Sequence, residues 1–69
     1  MALSARNRIH GTVRTVETSG LMAEVVVETP DGQTVTAIIT SGSVERLGIA
    51  AGDEVDAVVK ATEVMIETA

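Results

Sequence analysis

No phenylalanine, tryptophan, tyrosine or cysteine occurs in this chain, so any interior must be built from Val, Ile, Leu, Met and Ala. With 69 residues that is a weak start. A single hydrophobic core in a chain below roughly 70–80 residues seldom supplies more than ~3–5 kcal/mol, and such chains need a staple. Disulfides are excluded, and the one histidine, His10, gives a structural metal little to hold. Oligomerisation is the staple that remains, and an obligate homo-oligomer is expected. The length accommodates one domain, residues 1–69.

Ten acidic residues against five Lys and Arg give a net charge of −5, which opposes a long polyanion as partner. Small nucleic-acid binders carry a basic stripe and stacking aromatics, and neither is present here. A small anion held in one local pocket is compatible with this balance, because a few converging donors outweigh a distant negative field. The start, Met1 to Arg6, lacks the apolar segment of a signal peptide, and no stretch is long enough to span a bilayer. The expectation is a cytoplasmic protein with no membrane partner.

Residues 8–14 alternate strictly, with Ile9, Gly11 and Val13 on one face and Arg8, His10, Thr12 and Arg14 on the other. That pattern reads as a half-buried strand. Thr18-Ser19-Gly20 makes a turn into a second strand over 21–29, with Leu21, Ala23, Val25 and Val27 facing inward. Its other face mixes Met22 and Val26 with Glu24 and Glu28, as a subunit contact would. Pro30-Asp31-Gly32 joins this strand as a hairpin to a third over 33–40. One or two helical turns follow around residues 43–48, with Ser41 or Ser43 as N-cap, Glu45 near the positive end and Gly48 as the stop. A fourth strand covers 54–60 and, after a break at Ala61-Thr62, a fifth covers 63–66. The fold class expected is all-β, a five-stranded OB-fold-like barrel with one short helix between strands 3 and 4. A small SH3-like barrel is the alternative.

Catalysis finds little support. There is no cysteine, His10 is the one neutral-pH base, and neither a Gly-rich phosphate loop nor a zinc-type spacing occurs. His10 reads as part of a solvated strand face. Asp53, Glu54 and Asp56 read as a solvated turn and strand start, lacking the glycine-punctuated spacing of a calcium loop. No metal site is expected, and the chain reads as non-enzymatic.

Anion binding is better supported, from three stretches. Ser4-Ala5-Arg6-Asn7 offers a hydroxyl and a guanidinium beside the first strand. Thr40-Ser41-Gly42-Ser43 sets three hydroxyls where a helix begins, although taken alone plain capping explains them better. Lys60-Ala61-Thr62 supplies an ammonium within an aliphatic, β-branched stretch, residues 57–66, together with N–H groups at a strand break. A lysine so placed is paired, snorkels, or awaits an anion. Asp56 and Glu63 are the partners a salt bridge would use.

These same stretches carry a resemblance. Ser4-Ala5-Arg6-Asn7 with Gly11 and Val13, then T-S-G-S-V-E-R-L-G over 40–48, Gly52, and V-K-A-T-E-V-M-I over 59–66 closely resemble the molbindins. These are small molybdenum-pterin-binding (Mop) proteins of TOBE type, and the likeness spans nearly the whole chain. It implies a cytoplasmic homohexamer, a trimer of dimers, that stores molybdate and also takes tungstate. It further implies that Ser4, Arg6, Lys60 and the Ala61 backbone form one wall of the anion site. Thr40 and Ser43 would close it from a neighbouring subunit, with Ala5, Asn7 and Ser41 as secondary candidates. The family has a second class of site on its symmetry axes, for which Asn7 is the candidate here. A structural or protein-interaction module without bound oxyanion is the alternative function.

Molybdate is a tetrahedral dianion without protons at neutral pH, so its four oxygens only accept hydrogen bonds. Arg, Lys, hydroxyls and backbone N–H groups meet that demand. Micromolar affinity corresponds to about −8 kcal/mol. Charge-assisted hydrogen bonds at ~1.5–3 kcal/mol each supply it with roughly four good contacts.

Overall fold

One long strand positions everything else. β1 (Asn7–Ser19) pairs through Thr12–Ser19 with β2 (Met22–Glu28) on one side and through Asn7–Thr12 with β4 (Glu54–Val59) on the other. β3 (Thr34–Thr40) lies outside β2, giving an antiparallel sheet of order β3-β2-β1-β4. The computed structural model describes residues 6–69. The seven-residue helix α1 (Ser41–Leu47) follows β3, and a 3-10 turn (Ala61–Glu63) follows β4. Among the described residues no helix is long and apolar enough to cross a membrane.

The alternation read over 8–14 holds, with Gly11 and Val13 buried, but the strand then continues to Ser19. Val13 stands opposite Val27 and Thr15 opposite Val26, so Arg14 is an extra residue, a β-bulge. The bulge resets the phase, and Val16 packs on the core although it lies three residues after Val13. The freed Arg14 guanidinium pairs with Glu28 at 2.6 Å. Gly11 is required by close approach, since a Cβ there would come within 2.6 Å of the Glu28 carbonyl oxygen.

The Pro30-Asp31-Gly32 hairpin forms as expected, Thr29 and Gln33 bonding across it and Gly32 adopting a positive φ of 88°. The turn before β2 falls one residue later than the sequence suggests. Leu21 sits in it, 85% exposed, instead of on the inward face. Its carbonyl accepts from the Ser41 N–H at 2.8 Å, which ties the helix start to the β1–β2 turn.

Val13, Ala23, Val25, Val27 and Val44 form the buried core, one small cluster with no large side chain in it. The sheet curls so that the edge strands β3 and β4 face each other across an apolar cleft of about 280 Å³. Among the described residues four strands, and not five, are present. Val64 has extended backbone but no ladder partner, while Met65 and Ile66 are 92% and 87% exposed. A strand is defined by a neighbour, and none of the described residues pairs with 63–66. The curled sheet is therefore open among the described residues, with β3 and β4 as its edges.

Candidate functional site

The first group of candidates gathers where β1 begins and β4 ends. Asn7 stands opposite Val59, and this register continued by one residue sets Arg6 opposite Lys60. Arg6 and Asn7 line a shallow hollow of about 360 Å³ with Arg8, Ile9, Val59 and Val64. Lys60 has extended backbone and caps the 3-10 turn, so the N–H groups that open the turn, Ala61 first, have no carbonyl within it to bond. Lys60 is exposed, contrary to the burial expected of its aliphatic stretch, because the segment after it is uncovered. Among the described residues it makes no salt bridge to Asp56 or Glu63. The Asn7 side-chain amide donates to the Val59 carbonyl at 3.2 Å, so this donor holds β1 to β4. Ser4 and Ala5 lie outside the described residues.

The second group gathers where β3 runs into α1. Thr40, not Ser41 or Ser43, is the N-cap, its Oγ1 accepting from the Ser43 N–H at 3.0 Å. Three hydroxyl residues within four positions all suit a cap by type, and the position where β3 ends decides among them. The Thr40 hydroxyl donates to Ser43 Oγ at 2.7 Å. Ser41 turns away and donates to the Gly20 and Met22 carbonyls at 2.8 and 3.2 Å. Its hydroxyl proton is given to the fold in this structure. Arg46 joins the group, donating from Nη2 to Ser43 Oγ at 3.1 Å. The signal for it was the spacing Thr40, Ser43, Arg46, which places all three on one helical face. At the other end Gly48 stops the helix in the left-handed region, φ 66°, as expected, while Glu45 falls beyond the first turn.

The two groups do not meet within a chain. Lys60 follows the partner of the first residue of β1, whereas Thr40 lies level with its last, through Met22 and Ser19. Thirteen residues separate those rows, roughly 40 Å of strand before curling. Charge picks out the same two places. Of five Lys and Arg side chains, Arg8 and Arg14 are ion-paired, and Arg6, Arg46 and Lys60 have no carboxylate partner among the described residues. The three unpaired cations sit at the two candidate half-sites.

His10 lies elsewhere, on the outer face. Its Nδ1 is 3.0 Å from Asp56 and its Nε2 2.8 Å from Glu54, with Arg8 3.7 Å from Asp56. A neutral imidazole has one N–H and cannot donate to both carboxylates, so the arrangement favours imidazolium. The hydrogen bond to Glu54, and then that to Asp56, raises its pKa above the ordinary value. A raised folded-state pKa stabilises the fold fully below the unfolded value of about 6.5, and that contribution disappears as pH rises through the folded value. Thermal melts from pH 5.5 to 9 should show stability falling over that rise. His10→Gln should flatten this part of the profile, and an equally sloped variant would assign it to other groups.

Residues 3–66 match the TOBE domain. The chain is also 47% identical over 66 residues to molybdenum-pterin-binding protein 3 of Clostridium pasteurianum, covering 96% of this chain and 97% of that one. The chain belongs to this TOBE-domain, molybdenum-pterin-binding (Mop) family. The Mop fold is matched in solved structures as well. A molybdate-binding protein from Sporomusa ovata superimposes with a TM-score of 0.92 at 37% identity, over 99% of this chain and all of the other. The cytoplasmic molybdate-binding protein ModG, with molybdate bound, gives 0.84 at 41% identity, over 88% of this chain and 43% of that longer one. The four-stranded curled sheet with one short helix is thus the Mop-family fold.

Proposed function

We propose that this Mop-family chain is a cytoplasmic, non-catalytic binder of molybdate, accepting tungstate too, that stores or buffers the ion. The observation that carries the reading is where the unpaired cations lie. In a chain of net charge −5, Arg6 and Lys60 stand together at one end of β1, and the Thr40–Ser43–Arg46 set stands at the other. Neither half alone surrounds a tetrahedral ion. Ser4, Arg6, Lys60 and the Ala61 N–H form one wall, and Thr40 and Ser43 of a second copy form the other. All these groups but Thr40, whose hydroxyl proton goes to Ser43 Oγ, act as donors to an ion that only accepts. With no aromatic ring to stack on, a pterin has no holder here, and the bare oxyanion is the ligand.

Assembly follows from the same fold. The exposed Val64, Met65 and Ile66 suit the apolar cleft between β3 and β4 of another copy. Seated there they supply the fifth strand, complete an OB-type barrel and cover two open sheet edges. A homohexamer built as a trimer of dimers is the assembly proposed, each subunit a single domain over 1–69.

The test is native mass spectrometry of the protein with molybdate added, alongside elemental analysis of protein from molybdate-supplemented cells. A hexamer gaining molybdate in defined steps is the expected result. An intact oligomer that takes up no molybdenum would leave a protein-interaction module instead.

A further inference from the structure

Resting on the proposed oxyanion site, we infer that Arg46 is a positioning residue that fixes the Ser43 hydroxyl as a donor and thereby selects for fully deprotonated oxyanions. A serine hydroxyl has one proton to give and two lone pairs with which to accept. In this structure both lone pairs of Ser43 Oγ are occupied, one by the Thr40 hydroxyl at 2.7 Å and one by Arg46 Nη2 at 3.1 Å. Thr40 is held in turn, its own oxygen accepting from the Ser43 N–H at 3.0 Å. The Ser43 O–H proton is the valence left over, and it is free to point at a ligand.

The Arg46 side chain folds back over Gly42. A Cβ at that position would lie 3.4 Å from Arg46 Nη1, so the guanidinium passes close over a backbone that carries no side chain. Among the described residues no carboxylate draws Arg46 elsewhere. The consequence is chemical. Monohydrogen phosphate carries a proton and needs an acceptor, which Ser43 cannot provide while both its lone pairs are filled. Molybdate needs donors only. Arg46 therefore separates two dianions of equal charge by their demand for a lone pair.

Calorimetry on the full chain with molybdate, and with phosphate at pH 8 as competitor, tests this in wild type, Arg46→Met, Arg46→Lys and Lys60→Ala. Arg46→Met keeps an unbranched stem but removes donor and charge. It should weaken molybdate about tenfold, one strong contact's worth, and narrow the preference over phosphate. Arg46→Lys keeps a charged donor within reach of Ser43 and should restore both to within about threefold. Melting temperatures without ligand should be the same for wild type and both Arg46 variants. A helix-supporting role would lower them and would weaken both anions in proportion. Wild-type affinity and preference in Arg46→Met, with binding lost in Lys60→Ala, overturns the role of Arg46 and leaves the pocket standing. A uniform loss for both anions overturns the positioning claim. A wild-type chain that binds no molybdate removes both proposals.

Discussion

Lys60→Ala and Arg6→Ala should each weaken molybdate binding by about ten- to hundredfold while leaving the oligomer assembled. Each removes one charge-assisted donor, a contact of ~1.5–3 kcal/mol. The double variant should take up almost no molybdate. The fold should tolerate these changes because neither side chain is spent on it. Both are exposed, and neither makes an ion pair among the described residues. Arg8→Ala is the control. Its guanidinium already serves Asp56 and so should matter little for the anion. Titration calorimetry with native mass spectrometry of each variant checks both halves of the expectation. Unchanged molybdate affinity in Lys60→Ala and Arg6→Ala would dissolve the proposed pocket.

What the amino-acid order disclosed, and what it hid, follows physical lines. The Pro30-Asp31-Gly32 hairpin and the Gly48 stop were legible because each is settled by a few neighbouring residues and their allowed backbone angles. The strand over 8–14 was legible until Arg14, where the bulge shifts the phase and the two-residue period no longer sorts inside from outside. No local signal announces a bulge. Leu21 looked like core by type, yet its place in a turn exposes it. Aliphatic character at 63–66 was read as a strand, but character alone does not say which chain provides the partner.

The site divides in the same way. That Arg6, Lys60, Thr40 and Ser43 are donors is a matter of residue type, available from the sequence. That they occupy opposite ends of β1 depends on which residues face each other across the ladders. Arg46 escaped notice because its role depends on which way a long side chain folds back. The Ser41 hydroxyl turns to two backbone carbonyls across the turn, which depends on where the chain doubles back. Neither outcome is written in composition.

Replacing Met65 and Ile66 together by aspartate should produce the largest structural effect, a protein that neither assembles nor folds stably. In the single chain both side chains stand in water, and Val64 beside them is partly uncovered. Burying Met65, Ile66 and the uncovered half of Val64 is worth roughly 4–7 kcal/mol per subunit, an upper figure because the costs of association are set against it. The chain's own core is five small side chains, and cores in chains of this size seldom supply more than ~3–5 kcal/mol. A contribution of that size is comparable with the whole net stability such a core leaves, so the folded subunit should scarcely survive alone. Two carboxylates in an apolar cleft cannot be accommodated unpaired. Size-exclusion chromatography with circular dichroism should show a largely unfolded monomer where the wild type is a β-rich oligomer. The wild type should also melt at a temperature that rises with protein concentration, as mass action requires of a fold completed by its partner. The surface anchors Leu21 and Ile38 provide the contrast: they are exposed too, but they lie outside the cleft, and aspartate there should cost less. A Met65→Asp, Ile66→Asp protein that remains a fully folded oligomer would mean that the fifth strand comes from somewhere other than this segment. The two halves of the anion site would then need a different route to each other.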